Sequence, residues 1–350
     1  MGVTRQIKVG ILTAPHIEFE QRARTFVLKN VRIGIGFHWD RHEDQEFAGT
    51  LEIRNNADGT QTAINTIDLE DYLCSVISSE MNANSPMELL KAHAVISRSW
   101  ALRAMQHPNH EAFHVCGDDH CQRYEGLRRM NDRAVEAVRA TAGQVLMYDD
   151  EICDCRYHKC CGGRTEIWRT CWEDIDVPYI QSVQCDYCNL TSHSAAVSRL
   201  TSILNDYDQE TKDFRDWKVT YSQAELSEIV REKSGIDFGE IIDLIPLHHG
   251  ASGRIDQLKI VGTKRTEIIG KELKIRLWLS KSCLYSSWFE IKKTITNNQS
   301  PITFTLVGHG WGHGAGLCQI GAAVMASDGM KYEDILAYYY VGSRLSVAAL

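Results

Sequence analysis

No stretch of eighteen consecutive apolar residues occurs in this 350-residue chain, which excludes a conventional membrane-spanning helix. There is also no run of Lys and Arg interleaved with aromatic residues, and the formal charge is −8. Nucleic acid is therefore not an expected partner. No internal repeat and no Pro/Gly/Ser-rich linker marks a boundary. Residues 1–8, Met-Gly-Val-Thr-Arg-Gln-Ile-Lys, lack the apolar segment and small-residue cleavage site of a secretory signal. Two readings follow: a cytoplasmic chain, or one whose export signal has been trimmed.

What is present is an ordinary globular composition, 43% hydrophobic and 24% charged. Strands are expected over 7–13 and 26–37, then a hairpin of 47–54 and 61–67 around Asn56-Ala-Asp-Gly59. Helical patterns cover 131–142 and 222–234, the latter capped by Ser222 with Glu225 three residues on. Residues 144–148 and 152–158 read as extended, and 253–261 alternates as a strand should. Mixed sheets without βαβ regularity predict an α+β fold with a helix-turn-helix pair and a long central groove. The expected organisation is a β-rich segment over 1–64 and a larger region over 65–350, within which 190–300 forms a partly separate lobe.

The helix pair carries the first chemical signal. Leu69, Tyr72, Leu73, Val76 and Ile77 recur at helical spacing, and the next member of that stripe is Glu80. A carboxyl aimed at a core has its pKa raised by burial and becomes a candidate general acid. The alternative is a frayed helix end with Glu80 in water. Further on, Ser85-Pro-Met-Glu88 predicts an N-cap at Ser85, Pro86 at the first helical position and a capping box closed by Glu88. The second helix, from Met87 towards Met105, buries Leu89, Ile96 and Trp100 and carries Lys91 and Arg98 seven residues apart. Glu80 then sits at a corner between two helices with cations nearby.

Cysteine supplies the second signal, because nine of the twelve fall between Cys116 and Cys188. His110, Cys116, His120 and Cys121 form a tetrahedral zinc set by residue type and spacing, with His114 competing for the place of His110. Reduced, buried thiols beside surface histidines are the alternative. Cys185-Asp-Tyr-Cys188 is a CxxC that joins Cys161 and Cys171 either in an all-thiolate zinc site or in disulfides. Gly162-Gly163 reads as a tight turn rather than part of a redox motif.

Near the C-terminus, glycines at 308, 310, 312, 314 and 316 alternate with His309, Trp311, His313 and Ala315. As an extended segment this has one bare face, suited to a ligand lying flat on backbone. Gly310-x-Gly312-x-x-Ala315 fits a dinucleotide fingerprint in form only, since no βαβ half follows it. Tyr338-Tyr-Tyr340 reads as the packing face of a closing helix.

The run DLEDYLCSVISSEMNANSPMELLKAHAVISRSWAL and the later block GHGWGHGAGLCQIGAAVMASDGMKYEDILAYYYVGSRL, in that order, resemble the stage II sporulation protein D and amidase-enhancer family (SpoIID/LytB). YHKCCGGRTEIW, GRIDQLKIVG and LWLSKSCLYSSWFEI between them also fit, so the resemblance spans about Asn65 to the C-terminus. It implies a lytic transglycosylase that cuts the bond between N-acetylmuramic acid and N-acetylglucosamine in peptide-stripped peptidoglycan strands. Glu80 would be the acid and base, with Arg98 as its catalytic partner. Lys91, His313 and Gln319 would bind the glycan. The resemblance also favours His110 over His114 in a structural zinc site with Cys116, His120 and Cys121. Two other readings stand beside it. One is a non-catalytic glycan-binding enhancer of a cell-wall amidase. The other is a metal-dependent hydrolase, which needs an open position that four protein ligands would fill. A wall substrate places the expected location in the cell envelope.

Overall fold

The computed structural model describes residues 5–37, 40–81, 84–118, 120–188, 215–295 and 302–348. Residues 190–214 and 296–300 of the expected lobe lie outside the described residues. The strand Gln6–Ala14 points Ile7 and Val9 inward and pairs antiparallel with Gln61–Asp68. That strand pairs in turn with Thr50–Asn55 through a turn at Asn56–Gly59, where Gly59 has φ +85°. On the other side of Gln6–Ala14, Val115–Cys116 adds a short parallel strand. A second antiparallel sheet of Phe19–Gln21, Thr25–Ile33 and Arg41–Ala48 contributes Phe26, Leu28 and Phe47 to the same core.

Three helices pack there: α1 (Leu69–Glu80), α2 (Met87–Gln106) and α3 (Asp132–Ala140). Asp68 caps α1 by accepting from the N–H groups of Glu70 and Asp71, and those two acidic residues oppose the dipole of the first turn. The start of α2 differs from expectation. Its N-cap is Pro86, with no side-chain cap, and the predicted box between Ser85 and Glu88 does not form. Glu88 is engaged elsewhere: one oxygen holds Lys91 at 2.9 Å, and the other accepts from the N–H of Tyr332 at 3.0 Å. Glu88 thus caps the uncapped helix Tyr332–Tyr339 from outside.

Arg98 is fully buried and links these helices through charge-assisted hydrogen bonds. Its guanidinium grips both oxygens of Glu70 at 2.7 Å, donates to the carbonyl of Gln144 at 3.0 Å and to that of Val138, near the end of α3, at 3.3 Å. One side chain therefore ties the start of α1 to α3 and to the strand Gln144–Tyr148. This corrects the expectation that Arg98 belongs to the catalytic groove. Trp100, which lines the groove, is two residues on, about 200° around the helix, so Arg98 faces away.

A second hydrophobic core is built from Trp217, Phe238, Leu258, Ile260, Phe289, Phe304, Leu306 and their neighbours. It holds the sheet of Asp216–Ser222, Thr303–His309 and Phe289–Thr294, a meander over 241–269, and the helices Gln223–Ser234 and Glu272–Trp278. Ser222 caps the first of these helices by accepting from the N–H of Glu225, as expected. The α+β class holds. Among the described residues no helix is long and apolar enough to cross a membrane.

Tyr157–His158 runs parallel to Leu317–Cys318 within the first core, and Tyr285 packs against both cores. Glu166, fully buried, is one pin: its carboxylate accepts from the N–H groups of Ile167, Ala251 and Ser252 and from the Ser252 and Thr170 hydroxyls. Arg254 is the other, donating to the carbonyls of Gly312 and Cys161 at 3.1 and 3.2 Å.

If Arg98 is a structural staple, Arg98→Ala should lower unfolding free energy by about 3–5 kcal/mol, because the Glu70 carboxylate and two carbonyls lose their donor. Urea unfolding followed by circular dichroism checks this. A loss below about 1 kcal/mol would mean the cluster relaxes at little cost.

Candidate active site

A long groove of roughly 2210 Å³ runs between the end of α1, the loop 116–123, the strand at 155–159 and the C-terminal glycine-rich segment. Its size suits a polymer better than a single small molecule, whose pockets span about 300–1,000 Å³. Glu80 lies in it, half-buried at the last position of α1. One carboxylate oxygen accepts from the backbone N–H of Arg123 at 3.1 Å and from the Tyr157 hydroxyl at 2.9 Å. The helix does not fray: Ser78 and Ser79 bond back to the carbonyls of Cys74 and Ser75, and the Ser79 hydroxyl also accepts from the N–H of Glu125. The loop that approaches Glu80 is held on both sides. Gln122 takes the Tyr72 hydroxyl at 3.1 Å, and Tyr124 donates to Asn65 at 2.7 Å.

Just ahead of Arg123 in the chain, His110, Cys116, His120 and Cys121 converge, with all four candidate ligand atoms within 4.8 Å of one another. The Nε2 of His110 is 3.4 Å from the Cys121 sulfur, and the Nδ1 of His120 lies 3.6 Å from Cys121 and 3.9 Å from Cys116. A tetrahedral zinc site needs nitrogen–sulfur edges of about 3.6 Å, so the donors fit in type and spacing. The choice between His110 and His114 is settled by position, because His114 points its Nδ1 at the N–H of Lys8.

Three histidines support the groove, His93 from behind and His158 and His313 in its lining. His93 on α2 is fully buried; its Nε2 meets the Gln319 amide at 3.1 Å and its Nδ1 meets Ser97 at 3.2 Å. Burial depresses its pKa to about 3. His158, also pushed down to about 3 by burial, donates through Nδ1 to the carbonyl of Ala315. His313 accepts from the N–H of Ala315 at 3.0 Å, and burial holds it well below the ordinary imidazole range. All three are neutral at pH 7 and serve as oriented donors or acceptors.

Of the residues singled out in the sequence, Glu80, His313 and Gln319 line this groove, whereas Arg98 and Lys91 do not. Lys91 pairs with Glu88 on the far side of α2 and lies 5.7 Å from the Tyr332 ring centre. Among the cations that line the groove is Arg156, which sequence reasoning missed. Its guanidinium sits 5.0 to 5.5 Å from the ring centres of Trp100, Trp168 and Trp172 and pairs with Asp154 at 2.7 Å. Tyr157 was missed too, although both stand directly before or within the quoted YHKCCGG motif.

The glycine-rich segment also departs from expectation. The strand ends at His309, and Gly310, Gly312, Gly314 and Gly316 all have positive φ. Their bare faces are filled by the protein itself. A Cβ on Gly314 would meet the Arg254 guanidinium at 2.5 Å, on Gly312 the Cβ of His158 at 2.9 Å, and on Gly316 the carbonyl of Arg156 at 2.0 Å. The glycines are there to wrap Arg254 and the strand at 156–158, not to leave a flat platform for a ligand.

Comparison with known proteins places these pieces. Residues 57–148, which include both helices and the His/Cys loop, match a family model described as stage II sporulation protein, and 166–316 match a domain of unknown function. An uncharacterized protein of Brachyspira hyodysenteriae is 31% identical over 284 residues, 81% of this chain and 68% of that one. The stage II sporulation protein D of Bacillus subtilis is 27% identical across 82% of this chain and 76% of its own length. The chain belongs to the stage II sporulation protein D family. The amidase enhancer of the same Bacillus is 24% identical over 78% of this chain but only 40% of its own length. In this family member the groove takes Glu80 from one matched region and His313 from the other.

Because all three histidines are depressed below the unfolded value near 6.5, the unfolded chain binds more protons in acid. Their contribution is complete above about pH 6.5 and is lost as pH falls from there towards 3. Urea midpoints should decline steadily between pH 7 and 5, and His93→Gln should remove about one proton's worth of that slope. An unchanged slope in the variant would show that His93 is charged or open to water in the fold.

Proposed function

We propose that this protein is a lytic transglycosylase, cleaving peptidoglycan strands between N-acetylmuramic acid and N-acetylglucosamine to leave anhydro-muramoyl ends. The observation that carries the reading is a half-buried carboxylate, held by an amide and a phenol, in a polymer-sized groove. A hydrolase flanks the scissile bond with two carboxyl groups to activate water. An intramolecular reaction manages with one. Glu80 protonates the leaving glycosidic oxygen as the bond to the muramoyl C1 breaks, then takes the proton of the same sugar's primary hydroxyl as that oxygen bonds to C1. Proton count balances and no water is consumed.

Tyr157 and the Arg123 amide keep the carboxyl group oriented. Arg156, framed by three tryptophans, takes the anchoring role that the resemblance gives to Arg98: Trp172, the least buried of the three, offers an apolar face to a sugar ring while the guanidinium meets a muramoyl carboxylate. The His110, Cys116, His120 and Cys121 set would hold a structural zinc ion, closed by four protein ligands, that fixes the loop carrying the Arg123 amide. The cell envelope is the place where such a substrate lies. A glycan-binding enhancer of an amidase would keep the groove and the aromatic faces but would not need the polar clamp on Glu80.

Glu80→Gln should reduce cleavage of peptide-free glycan strands by about 10²–10⁴-fold while leaving their binding nearly intact. Arg156→Ala should instead weaken strand binding by about tenfold or more. Turnover and sedimentation with purified strands check both. Undiminished cleavage by Glu80→Gln would refute the assignment.

A further inference from the structure

The sequence pattern grouped Cys185 and Cys188 with Cys161 and Cys171, but the fold replaces one of the four. Cys171 turns away to donate to the carbonyls of Ile167 and His313. In its place stands Cys318, from the far end of the chain. The sulfurs of Cys161, Cys185, Cys188 and Cys318 all lie within 4.8 Å of one another and are buried. We propose that these four cysteines bind a second zinc ion as an all-thiolate structural site, distinct from the His/Cys loop.

Three observations carry this beyond proximity. First, the four sulfurs are gathered without a disulfide, Cys161 and Cys188 being 3.1 Å apart, too far for an S–S bond and within the adjustment a bound ion needs. A tetrahedral zinc tetrathiolate has sulfur–sulfur edges of about 3.8 Å, whereas a disulfide draws only two sulfurs to about 2.05 Å. Second, backbone donors aim at the sulfurs. The N–H groups of Cys161 and Gly321 point at the Cys318 sulfur at 3.3 Å each, and that of Gly163 at the Cys161 sulfur at 3.4 Å. The Tyr339 hydroxyl lies 3.2 Å from the Cys185 sulfur. Such donors stabilise thiolates, the form that ligates metal, and orient them. Third, the surroundings are shaped for it. Gly162 and Gly163 have positive φ in the turn that carries Cys161, and a Cβ on Gly321 would meet the Cys185 sulfur at 2.7 Å and the Tyr339 hydroxyl at 2.2 Å. Arg254, bonded to the carbonyl of Cys161, brings a positive charge beside a cluster that would be doubly negative with zinc bound.

The consequence is mechanical. The ion would clamp the turn after Tyr157–His158 to the residue just before Gln319, fixing from behind the strand whose Tyr157 holds Glu80. It does not depend on what the groove cleaves.

The test is metal content of the full chain purified under reducing, chelator-free conditions. Cys185→Ser/Cys188→Ser should lose about one zinc per chain relative to the unmodified protein, and Cys171→Ala should lose none. In Cys116→Ser/Cys121→Ser, cobalt(II) substitution should give the charge-transfer and visible bands of an all-thiolate site. That last measurement decides the matter even if the Cys185/Cys188 variant fails to fold. Zinc unchanged in Cys185→Ser/Cys188→Ser, cobalt bands of mixed nitrogen–sulfur type or none in Cys116→Ser/Cys121→Ser, or intact mass showing disulfides among these four in metal-free protein would each overturn the site.

Discussion

A parallel ladder two residues long, Tyr157–His158 against Leu317–Cys318, is the contact on which the groove depends. It joins segments from distant parts of the chain and brings Tyr157 to Glu80 on one side and Gln319 to His93 on the other. So short a ladder cannot hold a long loop closed unaided, because closure entropy rises with the length of chain enclosed. The surrounding structure supplies the rest. Arg254 threads its guanidinium through the glycine turns, Glu166 gathers five donors from its own segment and from Ala251 and Ser252, and the four-sulfur cluster lies nearby.

Charge is distributed around this contact in a way that separates support from chemistry. The buried cation Arg98 is spent on Glu70 and two helix and strand carbonyls, far around α2 from the groove. The imidazoles of His93, behind the groove, and of His158 and His313, along it, are kept neutral by desolvation. The groove itself retains an acid that is only half buried and a guanidinium that is partly exposed among indoles. A carboxyl that must give up a proton and then take one back needs access to substrate more than deep burial, and the end of α1 provides that access.

Much of this was legible in the sequence where the signal was local. The stripe from Leu69 to Ile77 ended on Glu80 and the side chain does turn to a groove; Ser222 capped its helix; the His110, Cys116, His120 and Cys121 spacing closed into one cluster. The misreadings involved partners far away in the chain. Seven-residue spacing put Lys91 and Arg98 on one face but did not say which face, and that face turned to Glu88 and Glu70. Glu88 left its capping box because a distant helix start at Tyr332 needed an acceptor. Sequence proximity groups Cys171 with Cys161, Cys185 and Cys188 and gives no sign of Cys318, which only the fold brings to them. The alternating glycines looked like a strand because period two is all that sequence displays, whereas positive φ at four of them is a demand made by Arg254 and the strand at 156–158.

The central claim is that Glu80 moves a proton between two oxygens of the glycan without recruiting water. The most direct measurement is mass spectrometry of the products from peptide-free peptidoglycan strands incubated with the protein in ¹⁸O-labelled water. The account predicts new anhydro-muramoyl ends that carry no solvent oxygen. Reducing ends labelled with ¹⁸O would contradict it by showing hydrolysis, and strands that bind but stay uncut would leave the groove a glycan-holding surface rather than an active site.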